Sequence, residues 1–158
     1  MDEARGDEAN RLRTVVDPEE GQSSYTYDKV GNRKSLSYPN GVVAEYLYDA
    51  RNRLTDLHNH AGETTISRHQ YTHYADGNRA TLTDQDDRVT TYTYDVLNRL
   101  TEEKQVAAGG GTLYWHGFDY DDVGNLLKKL NLTTSPATAG ALVPPSRSQS
   151  TRARAASE

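Results

Sequence analysis

The sequence predicts an all-β protein, an antiparallel meander of short hairpins that forms one open sheet. A segment of the form Tyr-x-Tyr-Asp-x-x-(Gly or Asn) recurs along the chain, and a recurrence of this kind is the signature of a repeat array. Turn signals return about every ten residues. The segments between them are rich in Thr, Tyr and Val and lack a helical period, which is typical of strands.

The recurring segment occurs in six copies of decreasing clarity. Three copies are complete and two are softened, one of them with His73 and Tyr74 in the Tyr and Asp positions. The sixth, around Asp7, lacks both aromatic residues. The residues that define the repeat are Tyr25, Tyr27, Asp28 and Gly31; Tyr46, Tyr48, Asp49 and Asn52; Gly77; Tyr92, Tyr94, Asp95 and Asn98; and Tyr120, Asp121 and Gly124.

The copies alternate between two forms. The Asp position falls at residues 7, 28, 49, 74, 95 and 121, and the third residue after it is alternately Asn and Gly. The larger unit is therefore a pair of copies, one with an Asn turn and one with a Gly turn.

Each copy can be interpreted as the end of a strand followed by a turn. Tyrosines two residues apart lie on the same face of a strand, so we expect their rings to pack against tyrosines of neighbouring strands, for about 0.2 to 1 kcal/mol per pair. The Asp carboxylate can accept hydrogen bonds from the amides of the turn. The Gly or Asn three residues later supplies the positive φ that the reversal requires.

The motif Tyr-x-Tyr-Asp-x-x-Gly-Asn-Arg, with the connector Tyr38-Pro39-Asn40-Gly41, resembles the YD repeat of the Rhs family. Similar repeats occur in insecticidal toxin-complex proteins and in teneurins, and here the resemblance covers about residues 7–133. It implies a function by shape, because in Rhs-like proteins many such repeats wind into a hollow β-shell that encloses a C-terminal toxin domain. Complete family members are secreted or lie at the cell surface.

The chain departs from that pattern in length and in its C-terminal part. A shell requires many more repeats, and neither a toxin domain nor the C-terminal plug that releases it with acidic residues has a match here. We therefore expect a fragment of a shell wall, or the remnant of a larger gene. Its expected partners are other YD repeats of a longer chain, further copies that associate through open strand edges, and a toxin domain of the parent protein.

Composition divides the chain into three parts. We assign residues 1–21 to a degenerate partial repeat, 22–133 to the YD-repeat array, and 134–158 to a disordered tail of mainly Ser, Thr, Ala, Pro and Arg. The net charge is −5 and the tail holds only three Arg, so we expect no nucleic-acid partner. We expect no membrane span and no signal peptide either. The chain has no cysteine, and its localisation stays open.

The sequence predicts no catalytic, metal or cofactor site, and hence no enzyme. His58 and His60 are same-face neighbours if their strand continues, but they border the Ala61-Gly62 turn, where exposed polar residues are usual. Adjacent carboxylates point to opposite faces of a strand and cannot converge in a cleft. A calcium loop beginning at Asp119 fails because Leu130 stands where a bidentate Glu is required.

The alternative function is a binding module. Exposed rows of tyrosines could stack on sugar rings, so the chain could serve carbohydrate binding or cell-surface adhesion, with Trp115 as a possible ligand-stacking residue.

Overall fold

The computed structural model describes residues 3–19 and 21–133, and within them it forms one antiparallel β-sheet. The strands run in the order of the chain, each paired with its predecessor and its successor. They are β1 (Glu3–Gly6), β2 (Leu12–Asp17), β3 (Gly21–Tyr27), β4 (Arg33–Ser37), β5 (Val42–Tyr48), β6 (Leu54–Ala61), β7 (Thr64–His73), β8 (Arg79–Asp84), β9 (Val89–Tyr94), β10 (Leu100–Val106), β11 (Thr112–Tyr120) and β12 (Leu126–Thr133). The predicted all-β meander is confirmed.

The repeats place all of their Asp turns at one end of the strands. Each Asp turn joins an odd-numbered strand to the next even-numbered strand, so in a sequential antiparallel sheet all of these turns lie at the same end of the strands. Connectors such as residues 38–41 and 85–88 lie at the opposite ends of the strands.

All six Asp turns have the same pattern of backbone hydrogen bonds. In the second copy the Gly31 amide donates to the Asp28 carbonyl oxygen at 3.2 Å, and the Asp28 amide donates to the Asn32 carbonyl oxygen at 2.9 Å. The register between β3 and β4 shifts between Thr26 and Tyr27, which marks a β-bulge next to the turn. This is the three-residue hairpin loop in which a type I turn precedes a residue in the left-handed region.

The positive φ predicted three residues after the Asp position is present in every copy. The two residue types adopt different values: 58° at Asn10, 59° at Asn52 and 60° at Asn98, against 98° at Gly31, 103° at Gly77 and 97° at Gly124. The Asn residues therefore sit in the left-handed helical well, while the Gly residues lie further into a region that side chains avoid.

The core is thin, as expected for a single-layer sheet. Among the described residues the buried hydrophobic side chains are Leu36, Ala44 and Trp115, and the buried polar ones are Asp56 and Thr90. Most other strand residues are partly exposed. We call the face that carries Tyr25, Leu36, Ala44 and Tyr46 the tyrosine face, and the other the opposite face.

The degenerate first copy forms a hairpin despite its missing tyrosines. β1 pairs with β2, and the Asp7 amide donates to the Arg11 carbonyl oxygen at 2.7 Å, as in the complete copies. The tail assigned to residues 134–158 lies outside the described residues. No helix in residues 3–19 or 21–133 has the length and apolar character needed to cross a membrane.

Candidate functional site

The Asp carboxylate at the start of each turn organises the loop that follows. Asp49 Oδ1 accepts hydrogen bonds from the amides of Arg51 at 2.8 Å and Arg53 at 3.0 Å. Its Oδ2 accepts from the Arg53 guanidinium, Nε at 2.7 Å, in an ion pair. The same carboxylate bonds to the second and fourth amides occur at Asp7, Asp28, Asp95 and Asp121. One side chain therefore satisfies two backbone donors of its own turn.

These contacts favour the ionised form of the carboxylate. The hydrogen bond from the Arg53 amide, followed by that from the Arg53 side chain, outweighs desolvation and lowers the pKa of Asp49 to about 2. The pKa of Asp95 is lowered for the same reasons. Hydrogen bonds from their turns also lower the pKa values of the carboxyl groups at the other Asp positions, namely Asp7, Asp28 and Asp121.

The fourth copy has Tyr74 in the Asp position and obtains its carboxylate from elsewhere. Asp76 lies two residues later, and its Oδ1 accepts from the Asn78 amide at 3.0 Å while its Oδ2 accepts from Asn78 Nδ2 at 3.2 Å. Tyr74 Oη donates to the Tyr92 carbonyl oxygen at 3.1 Å. The turn thus keeps its geometry although its usual capping residue is replaced.

Consecutive turns are joined by side chains four residues after the Asp position. In the Gly copies this residue is Asn, and Asn32 Nδ2 donates to Asn52 Oδ1 of the next turn at 3.0 Å. Asn78 Nδ2 donates in the same way to Asn98 Oδ1 at 2.9 Å. A turn of the Gly form therefore binds the side chain of the following Asn turn.

In the Asn copies the corresponding residue is Arg. Arg53 Nη1 donates to the Tyr74 carbonyl oxygen at 2.9 Å, and Arg99 Nη1 donates to that of Asp121 at 3.0 Å. With the Asn bonds these contacts link the turns at 28, 49, 74, 95 and 121 in sequence. We call this series the turn ladder. No role was predicted for this position, although its alternation of Arg11, Arg53 and Arg99 with Asn32, Asn78 and Asn125 is visible in the sequence.

The first tyrosines of two neighbouring repeats, Tyr25 and Tyr46, do not stack on each other as expected. Tyr25 and Tyr46 lie on β3 and β5, separated by β4, and two strand spacings of about 9.6 Å exceed the range of a ring pair. Arg33 of β4 fills the interval, with its guanidinium carbon 5.5 Å from the Tyr25 ring centroid and 5.7 Å from that of Tyr46. The expected ring stacking is therefore wrong for this pair, and cation–π contacts take its place.

The same arrangement recurs two copies later. Arg79 of β8 lies 4.8 Å from the Tyr71 ring centroid and 5.7 Å from that of Tyr92. Within the described residues, Tyr74 and Tyr94 form the one ring contact between tyrosines, edge to face at 6.3 Å.

The second tyrosine of two Gly copies connects to the preceding Asn copy. Tyr27 Oη donates to the Leu12 carbonyl oxygen at 2.8 Å, and Tyr120 Oη donates to that of Leu100 at 2.8 Å. The guanidinium of the preceding copy covers each ring, Arg11 at 4.5 Å and Arg99 at 4.8 Å. The alternation in sequence thus corresponds to two different kinds of junction between repeats.

Trp115 does not join the tyrosine rows. It neighbours Tyr114 on β11, so its side chain points to the opposite face, where it is 9% exposed and its ring covers Gly117, leaving no room for a Cβ there. The ligand-stacking role of Trp115 stays a prediction, and burial of the ring weighs against it.

On the tyrosine face, Tyr114, Glu103 and His116 form a polar cluster. Tyr114 Oη donates to Glu103 Oε1 at 2.9 Å, and Glu103 Oε2 lies 3.5 Å from His116 Nδ1. Burial, together with the nearby Glu103 carboxylate, raises the pKa of Tyr114 to about 12, so this hydroxyl stays protonated and acts as a donor.

Comparison with known proteins gives a consistent assignment. The family model described as RHS Repeat matches residues 6–43, 27–64 and 73–112, which together span more than half of the chain. No curated protein sequence matches the chain.

Several solved structures share the fold. The chain superposes on a TcdB2-TccC3 crystal structure with a TM-score of 0.71 and 16% identity, covering 82% of this chain and 8% of that one. TcdB2-TccC3-Cdc42 gives a TM-score of 0.70 and 21% identity, covering 87% of this chain and 8% of that one. A Tc holotoxin pore of Photorhabdus luminescens gives a TM-score of 0.69 and 16% identity, covering 80% of this chain and 7% of that one. The chain therefore spans less than a tenth of the length of these proteins. Its repeated Asp turns, its sequential sheet and the family match show that the chain belongs to the RHS repeat family.

Proposed function

We propose that this chain is a non-catalytic section of the wall of a larger shell built from RHS repeats. The observation that carries the proposal is the way the repeats connect. Strand contacts within the described residues run only between neighbours in sequence, and the turn ladder repeats one junction after another. Such a structure can be lengthened at either end without changing its interior.

The last described turn supports continuation beyond β12. Asn125 Nδ2 donates to Asp121 Oδ2 at 2.8 Å, just as Asn32 Nδ2 donates to Asp28 Oδ2 at 3.0 Å. Asn32 also reaches the next turn, at Asn52. The Asn125 side chain is therefore placed as that of Asn32 is, and among the described residues β12 pairs on one side only, so a further Asn turn would find a donor and a strand edge there.

The proposed partners follow from this role. Further RHS repeats would pair with the outer edges of β1 and β12, and in the parent assembly the closed wall would enclose a toxin domain. The chain would contribute shape, and its carboxylates would act in turns. The Asp positions support this assignment because their oxygens are engaged by the amides and side chains of their own loops.

Carbohydrate binding has weaker support. Sugar stacking needs an open ring face, whereas guanidinium groups lie over Tyr25, Tyr46, Tyr71 and Tyr92. The more exposed candidates are Tyr38 at 43% and Tyr74 at 42%. A glycan array probed with the chain and with a Tyr38→Ala/Tyr74→Ala variant tests this alternative, and a saturable signal lost in the variant would favour it.

The wall proposal is tested by lengthening the array. Residues 22–114 form a block whose repetition keeps Gly and Asn turns in alternation, because residue 115 of the chain corresponds to residue 22 in the repeat. We expect electron microscopy of a polypeptide with several such blocks to show a continuous curved wall around a hollow. A string of separate particles would contradict the proposal.

A further inference from the structure

Two histidines and a glutamate converge on the opposite face of the sheet. His58 and His60 lie two residues apart on β6, and Glu45 of β5 is the direct cross-strand partner of His58. One donor atom from each of the three side chains lies within 4.8 Å of the others. We propose that Glu45, His58 and His60 form a binding site for a borderline transition-metal dication such as Zn²⁺.

The donor set suits this class of metal. Two imidazole nitrogens and one carboxylate oxygen form a common three-ligand set for zinc, with water in the fourth position. The imidazole rings of His58 and His60 have centroids 4.9 Å apart, and His60 Nε2 is 3.7 Å from Glu45 Oε2. Tetrahedral ligands at zinc are about 3.3 Å apart, so modest side-chain rotation completes the site.

The hydrogen bond of the His60 ring leaves one of its nitrogens available for a metal. His60 Nδ1 is 2.8 Å from the Gly62 carbonyl oxygen, which can only accept, so Nδ1 carries the proton of the neutral ring. The lone pair is then on Nε2, the atom that faces Glu45. Fixing the tautomer through a backbone carbonyl is how metal-binding histidines are commonly oriented. His58 Nε2 lies 2.9 Å from Thr65 Oγ1, a hydroxyl that can donate or accept, so this contact does not fix the tautomer of His58.

The nearest guanidinium on the neighbouring strand is already paired with a carboxylate. Arg68 is the cross-strand neighbour of His58 on β7, but its guanidinium is engaged by Asp56, Nη2 to Oδ2 at 2.6 Å and Nε to both oxygens at 3.2 Å. Asp56 is 7% exposed, and because a buried carboxylate without a partner is costly, it keeps the Arg68 guanidinium engaged. A pocket of about 140 Å³ lies beside the cluster, lined by Glu45 and His58 but not by His60, and Lys34 as well as Arg68 borders it.

The test is a titration of the complete chain, without an affinity tag, by Zn²⁺ in a calorimeter and by Co²⁺ in a spectrophotometer. We expect one site per chain and the intense visible absorption of tetrahedral Co²⁺. His58→Gln and His60→Gln should each weaken Zn²⁺ binding at least about tenfold, since even outer partners of a metal are worth 10- to 100-fold. Glu45→Gln should weaken it as well.

His73→Gln is the matched control, because His73 also lies on a strand but outside the cluster. It should bind Zn²⁺ like the unaltered chain. Circular dichroism checks that each variant keeps its sheet. Zn²⁺ should raise the melting temperature of the unaltered chain and of His73→Gln, and should leave that of H58Q/H60Q unchanged. Absence of binding, or equal affinity in the unaltered chain and in H58Q/H60Q, would overturn the proposal. So would an equal loss in His73→Gln.

Discussion

At the residue scale, the position three residues after each Asp serves two purposes. Gly77 has a φ of 103°, and a Cβ there would meet no atom within 4 Å, so glycine is required by the backbone and not by space. Asn98 has a φ of 60° and uses its side chain, whose Oδ1 accepts from Asn78. Asn is therefore more than a substitute for Gly at this position.

Gly77→Val tests the backbone requirement. A β-branched residue forced to this φ costs about 1 to 3 kcal/mol of unfolding free energy, although it creates no clash. Gly109→Val is the control, since Gly109 has equally open space and no positive φ. Urea unfolding should separate the two variants, and equal stability would show that the turn does not need a left-handed residue.

Asn98→Gly tests the side-chain contribution. From the sequence alone the change is expected to alter stability by only a few tenths of a kcal/mol, because Gly adopts positive φ easily. Because the Asn98 side chain also accepts a hydrogen bond from Asn78, we expect the variant to lose about 0.5 to 1 kcal/mol of unfolding free energy, the low end for a hydrogen bond near the surface.

Asn10→Gly is the matched control for this effect. Asn10 has the same φ, but in the part of the chain that the structure describes no preceding turn donates to its side chain. Thermal melts should show a smaller drop in melting temperature for Asn10→Gly than for Asn98→Gly. The reverse order would remove the turn ladder as a source of stability.

Residue roles were predictable where they depend on local backbone chemistry. The capping carboxylates, including Asp49, and the positive φ at Gly31 follow from the turn itself, so the motif was sufficient to predict them. The positions of Arg33 and Arg79 between tyrosines depend on which strands alternate in the sheet. A pattern read along the chain does not contain that information until the register is known.

At the element scale, the hairpin with its Asp turn is the unit that the sequence encodes. The first copy shows how little of the motif is needed, since Asp7 and Asn10 form the turn between β1 and β2 without any tyrosine. In the fourth copy Asp76 replaces the usual Asp. The tyrosines therefore serve contacts between hairpins, and the carboxylate with its left-handed partner serves the turn.

The ionised carboxylates make the hairpins sensitive to acid. The folded pKa of Asp49, about 2, lies below its ordinary value of 3.8, so the unfolded chain binds the proton more tightly. The stabilisation is complete above pH 3.8 and is lost as the pH falls through about 2. We expect melting temperatures to fall over this range.

Asp49→Asn identifies the group responsible. The variant should melt below the unaltered chain at neutral pH, and the difference should narrow toward pH 2, because both then lack the charge. Glu63→Gln removes an exposed carboxylate from the opposite end of the strands. Its difference in melting temperature from the unaltered chain should not narrow toward pH 2. A constant difference for Asp49→Asn at every pH would contradict the account.

At the scale of the whole molecule, stability comes from neighbours and not from a central core. The described sheet has few buried hydrophobic side chains, and each hairpin contacts only those beside it. The outermost strands β1 and β12 each pair on one side only among the described residues. Free strand edges of this kind associate with further strands.

Self-association is the expected consequence for the isolated chain. Sedimentation velocity should show the average mass rising with concentration, because β1 of one copy can pair with β12 of another. A single monomer at all concentrations would contradict open edges.

The most direct measurement of the coupling between repeats is urea unfolding of polypeptides with one, two and three blocks of residues 22–114. If neighbouring repeats are joined by the turn ladder and by strand pairing, both the unfolding free energy and its dependence on urea rise with each added block. If the blocks are independent, every polypeptide unfolds at the midpoint of the single block and with the same dependence on urea, and the account of the chain as a section of a continuous wall is wrong.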